Sequence, residues 1–140
     1  MFDKILLAVD GSEHALVAAR KAAELVRALK PAELRIVAAY NTIPNYLGEP
    51  NLQITIDSLK GEAKRAIDKV MVHLGELPCE VHTEILEGDP AEAILNVADT
   101  RKSSLIIMGS RGLGHLAGLL LGSTSQKVVA HAHCPVLIVR

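Results

Sequence analysis

The chain has 140 residues, close to the length of one ordinary domain, and 49% of them are hydrophobic against 22% charged. That composition supplies a core and argues against disorder. The formal net charge is −1 and no run of like charge occurs. The basic field that nucleic acid or an anionic membrane requires is therefore missing, and no stretch reaches the ~20 apolar residues that span a bilayer.

Aromatics are limited to Phe2, Tyr40 and Tyr46, so the core must be built from Leu, Ile, Val and Ala. Residues 5–9 form a short, nearly continuous apolar run that stops at Asp10-Gly11-Ser12. This predicts a strand buried on both faces, then a turn. Ser12 is placed to cap a helix. In that helix Ala15, Ala18, Ala19, Ala22, Leu25, Val26 and Leu29 recur at helical spacing, and Pro31 ends it. Residues 34–40 give a second strand. Residues 41–52, with Pro44, Gly48 and Pro50 among them, read as the one long loop before residue 109. A second amphipathic helix places Ile56, Leu59, Ala63, Ile67, Val70 and Leu74 on one face, and Gly75 closes it.

Residues 79–86 alternate, with Val81, Thr83 and Ile85 opposed to Glu80, His82 and Glu84. This predicts a strand with one wetter face near a sheet edge. Asp89-Pro90-Ala91-Glu92 is a compact helix start, with Asp89 as the cap and Pro90 at the first helical position. Residues 105–108 are a fully apolar strand ending at Gly109. After a glycine-rich stretch come a helix over 123–131 and a last strand over 136–139. The order is thus strictly alternating, which predicts an α/β fold: one domain over residues 1–140, a doubly wound, five-stranded parallel sheet with helices on both faces. Cys79 and Cys134 are too few and too far apart for a disulfide framework and read as buried thiols. The short apolar N-terminal run does not resemble a secretory signal, and a cytoplasmic location is expected.

In such sheets ligands bind beyond the carboxyl ends of the strands, where the strand order reverses. The ends of the first and fourth strands carry Asp10 and Met108-Gly109. Five of the ten glycines fall within residues 109–125. Glycine permits close backbone approach, and Gly122-Ser123-Thr124-Ser125 opens a helix whose unpaired N–H groups favour an anion. This is the composition of a phosphate cradle. A helix cap with a plain loop is the alternative that composition leaves open. The spacing matches neither a Walker loop nor a Rossmann fingerprint, and the serine after the fourth strand lacks the frame of a hydrolase elbow. His131-x-His133-Cys134 lacks a matching pair for a tetrahedral metal site.

The spacing G-x2-G-x9-G-S, met by Gly109, Gly112, Gly122 and Ser123, resembles the ATP-binding signature of the universal stress protein family. The resemblance extends to the opening residues 5–12, to Gly88-Asp89-Pro90-Ala91-Glu92-Ala93-Ile94 and to the ending Cys134-Pro135-Val136-Leu137-Ile138-Val139-Arg140. It implies a strand order of 3-2-1-4-5 and ATP, with Mg2+, as the ligand. Asp10 would stand by the ribose or metal, and Ala39 would offer backbone groups to adenine. Met108, Gly109 and Gly112 would lie along ribose and phosphates, with Arg111 as a charge partner. Gly122, Ser123, Thr124 and Ser125 would hold the phosphates. It also implies a homodimer through the last strand and a stress-response role as a nucleotide-dependent switch or adaptor for a protein partner, with no nucleic acid or membrane bound. A slow ATP hydrolase or phosphate-transferring enzyme is the alternative.

Overall fold

The computed structural model describes residues 2–44, 48–111 and 121–140. The elements in chain order are β1 (Lys4–Ala8), α1 (Glu13–Leu29), β2 (Glu33–Tyr40), α2 (Asn51–Leu74), β3 (Glu80–Glu87), α3 (Pro90–Thr100), β4 (Leu105–Gly109), α4 (Ser123–His131) and β5 (Val136–Val139). The five strands form one sheet in the order β3-β2-β1-β4-β5, and all four neighbouring pairs are parallel. The chain winds outward from β1 to β3, returns to the centre at β4 and ends at the opposite edge. The order reverses between β1 and β4.

Strand alternation divides the core in two. Ile5, Leu7 and Val9 point to the side where Ala15, Ala18, Ala19, Ala22 and Val26 of α1 and Ile67 and Val70 of α2 close over them. Leu6 and Ala8 point to the other side, with Ile94 and Ala98 of α3 and Val128 of α4. Leu6, Leu7, Ile106 and Ile107 are fully buried; each contributes about 1.5–3 kcal/mol of transfer free energy. Alanines in α1 are small, so its axis lies close against the sheet, and Ala18, Ala19 and Ala22 have no exposed surface.

The helix ends follow from local chemistry. Ser12 Oγ accepts from Ala15 N at 3.2 Å and caps α1. An Asp89 carboxylate oxygen accepts from Glu92 N at 3.1 Å and caps α3, with Pro90 in its first turn. Three details depart from the sequence expectation. α2 begins at Asn51, so the helix takes up the end of the expected loop. Leu29 is 41% exposed, because it is the last residue of α1 and Lys30 turns the chain away with φ 49°. In β3 the expected dry face is incomplete. Val81 packs on the core while Ile85 is exposed, since an edge strand lies at the limit of what the covering helices reach. Opposite it, Glu84 is held by Arg35 at 3.1 Å and Arg101 at 3.3 Å.

Candidate functional site

The carboxyl ends of β2, β1 and β4 lie side by side. At the end of β1 the chain turns through Gly11, whose φ of +87° is a conformation L side chains rarely adopt. That turn lets Asp10 Oδ1 accept from Ser12 N at 2.9 Å. One carboxylate oxygen is thereby oriented while the residue stays exposed. Ala39 is half-buried near the end of β2. Asp10 and Ala39 both line a cleft of about 620 Å³, within the size range of small-molecule sites. Its far wall is α2, which supplies Leu59, Glu62, Ala63, Arg65 and Ala66. Ile56 and Leu59, expected in the core, are only half-buried; the apolar stripe of α2 runs past the sheet, and Leu59 walls the cleft instead.

On the other side of β1 the end of β4 is tied to the start of α4. Gly122 N donates to Ser110 O at 2.7 Å, which joins the two directly. The Ser125 hydroxyl is buried and donates to Gly109 O at 2.9 Å. Ser110 N donates to Val139 O at 2.9 Å, which adds β5 to the junction. Met108, Gly109, Gly122 and Ser125 are thus brought together by direct bonds or chain neighbours. Ser123 is exposed and Thr124 half-exposed on the first turn of α4, and Arg111 is half-buried at the point of departure. Gly112 lies outside the described residues.

Two of these positions have structural duties that sequence reasoning did not anticipate. A methyl group added at Gly109 would lie 2.8 Å from three His14 atoms: C, O and Cβ. The glycine is required by the approach of α1. The Ser125 hydroxyl is committed to the Gly109 carbonyl, which leaves its backbone N–H as the group it can offer a ligand.

The start of α4 differs from those of α1 and α3. Its cap residue is Gly122, without a side-chain cap bond. The first helical hydrogen bond runs from Gln126 N to Gly122 O at 3.0 Å. The N–H groups of Ser123, Thr124 and Ser125 therefore have no acceptor within the helix, and the helix dipole adds partial positive charge there. An anion fits this end chemically. Asp10 stands at the end of β1, and the cleft extends from it toward β2 and α2. The α2 wall was missed in the sequence because only the apolar stripe of that helix was singled out, and Glu62 and Arg65 lie outside it. Among the described residues no group of three or more His, Cys, Asp or Glu side chains could hold a metal ion; His133 Nδ1 lies 3.1 Å from Asp99 Oδ1 at the surface. No helix among them is long and apolar enough to cross a membrane.

The universal stress protein family matches residues 1–140. A universal stress protein of Thermus aquaticus is 47% identical over 140 residues, covering 100% of both chains. The structure of the universal stress protein UspA from Lactobacillus plantarum superposes with a TM-score of 0.88 at 25% identity, covering 99% of this chain and 98% of that one. A universal stress protein solved in complex with cAMP superposes with a TM-score of 0.69 at 26% identity, covering 98% of this chain and 96% of that one.

Proposed function

The chain belongs to the universal stress protein family, and we propose that it is an ATP-binding stress-response protein whose bound nucleotide acts as a switch. The observation that carries this reading is the uncapped start of α4, stitched to the end of β4 beside a cleft of about 620 Å³. The cAMP complex of a neighbour 26% identical to this chain supports an adenine nucleotide as the ligand class. In this reading the base and ribose occupy the cleft. The backbone at Ala39 meets adenine and Asp10 orients ribose hydroxyls or Mg2+. Met108 and Gly109 border the ribose. The N–H groups of Ser123, Thr124 and Ser125, with the Ser123 and Thr124 hydroxyls, hold phosphates at Gly122, and Arg111 and Gly112 complete the cradle. The cation would offset phosphate charge.

These groups bind the ground state. Among Met108, Gly109, Ser110, Arg111, Gly122, Ser123, Thr124 and Ser125 there is no lysine to offset charge developing on a γ-phosphate and no carboxylate to orient an attacking water; Asp10 and Glu62 line the cleft instead. Affinity without differential contacts gives little rate, so turnover should lie far below the ~1–100 s⁻¹ of kinases. The unbridged thiols of Cys79 and Cys134 suit a reducing compartment, and the cytoplasm is the proposed location.

Thermal unfolding with and without Mg-ATP, followed by single-turnover hydrolysis, tests the reading. At a hundred times its dissociation constant ATP should stabilise the fold by about 2.7 kcal/mol, with slow hydrolysis. An unchanged melting temperature in saturating Mg-ATP would overturn nucleotide binding. Rapid hydrolysis would replace the switch with an enzyme.

A further inference from the structure

We propose that Arg65 is a base-contacting residue of the nucleotide site, its planar guanidinium lying over the face of the purine. The inference rests on the reading that the cleft takes an adenine nucleotide. Arg65 lines the cleft from α2, opposite Ala39 and Asp10. Among the described residues it makes no ion pair or hydrogen bond, although Glu62 sits one turn away on the same helix. Three arginines elsewhere are tied down: Arg35 holds Glu33 and Glu84, Arg101 holds Glu84, and Arg27 donates to Leu74 O at 3.0 Å.

The backbone beneath Arg65 is shaped for this placement. Gly61 stands one turn earlier, in the interior of a helix of 24 residues, where glycine is disfavoured relative to alanine. A methyl group there would come within 3.3 Å of Arg65 Nη1. The guanidinium therefore folds back over the helix at Gly61, where no side chain crowds it.

The choice of the base over the phosphates follows from location. The described lining of the cleft contains residues of the β1 and β2 ends and of α2 and none of α4. The anion-binding N–H groups of α4 lie across β1 from β2, so the part of the ligand that reaches Arg65 is the end remote from the phosphates. A flat apolar base entering there meets Leu59, Ala63 and Ala66, and needs one planar partner. Tyr40 also borders the cleft but is only 9% exposed, so little of its ring is open to a ligand. A guanidinium stacks on such a ring, whereas a lysine ammonium does not supply a plane.

The test measures binding of ATP, adenosine and inorganic tripolyphosphate to the whole chain and to Arg65→Ala and Arg65→Lys, with circular dichroism to check folding. Substitution of an exposed helix residue should leave the fold intact. The expected result is a loss of about tenfold in affinity for both ATP and adenosine in either variant, with tripolyphosphate binding unchanged. A loss confined to ATP and tripolyphosphate, rescued by lysine, would make Arg65 a phosphate contact and overturn the proposal. Unchanged binding in both variants would make it a solvated surface residue and overturn it too. Failure of the unsubstituted chain to bind either ATP or adenosine would instead remove the nucleotide reading beneath it.

Discussion

Replacing Gly109 by alanine separates packing from ligand binding at the end of β4. The added methyl would lie 2.8 Å from the C, O and Cβ atoms of His14, short of the 3.4 Å where ordinary contact begins by about 0.6 Å. Two of those atoms are backbone in the first turn of α1 and cannot swing aside. Relief requires α1 to lift from the sheet. That helix is held by Ala15, Ala18, Ala19 and Ala22, all buried against the strands, and a gap of 0.5–1 Å forfeits about a quarter to a half of each dispersion contact it opens. Overpacking of a core costs about 1–3 kcal/mol. Because the methyl meets backbone atoms of His14, the expected cost is about 2–3 kcal/mol, a fall of about 7–10 °C in melting temperature for a chain of this size. The assay is thermal and urea unfolding of Gly109→Ala without nucleotide. If the variant melts with the parent yet no longer binds ATP, the glycine serves the ligand and the packing argument is wrong.

Three further outcomes are expected. The backbone N–H of Glu92, then the nearby Lys127, hold the Asp89 carboxyl below the usual aspartate range. The cap therefore stabilises α3 at neutral pH and loses its effect as pH falls through that lowered value. Asp89→Ala should cost about 1 kcal/mol near pH 7, and the difference from the parent should vanish in acid; a difference that persists at low pH would contradict this sign. Burial pushes up the thiols of Cys79 and Cys134, with the Asp99 charge adding at Cys134, so iodoacetamide should modify both in the folded chain more slowly than free cysteine, and rapid alkylation would count against it. The edge strand β5 carries half-buried Val136, Leu137 and Ile138 beside exposed Val129. Unpaired edges of this kind invite strand addition, and a two-fold dimer is proposed there; a stable monomer in sedimentation at micromolar concentration would refute it.

Much of the fold was legible because each local signal agreed with the global one. The continuous apolar run of β1, the alanine face of α1 and the Asp89-Pro90 start of α3 each specify their element through burial, spacing or capping. Alternation of strands and helices left few topologies, since crossovers are right-handed and parallel strands need covering on both faces. Where the reading was less accurate, at Leu29, at the start of α2 and along β3, the deciding factor was how far a neighbouring element extends, which no local pattern encodes.

The site divides in the same way. The sequence by itself determined the membership of the chain in its family, the strand-end positions of Asp10 and Gly109, and the helix start at Gly122 with no side chain to cap it. These follow from residue type and spacing within one segment. Only the tertiary structure decided that Gly109 is pressed on His14, that the Ser125 hydroxyl belongs to the Gly109 carbonyl, and that Arg65 faces a cleft under β1 and β2. Each joins residues separated by sixteen to ninety-five positions in the chain, and a contact between distant segments exists only once the sheet has set them side by side.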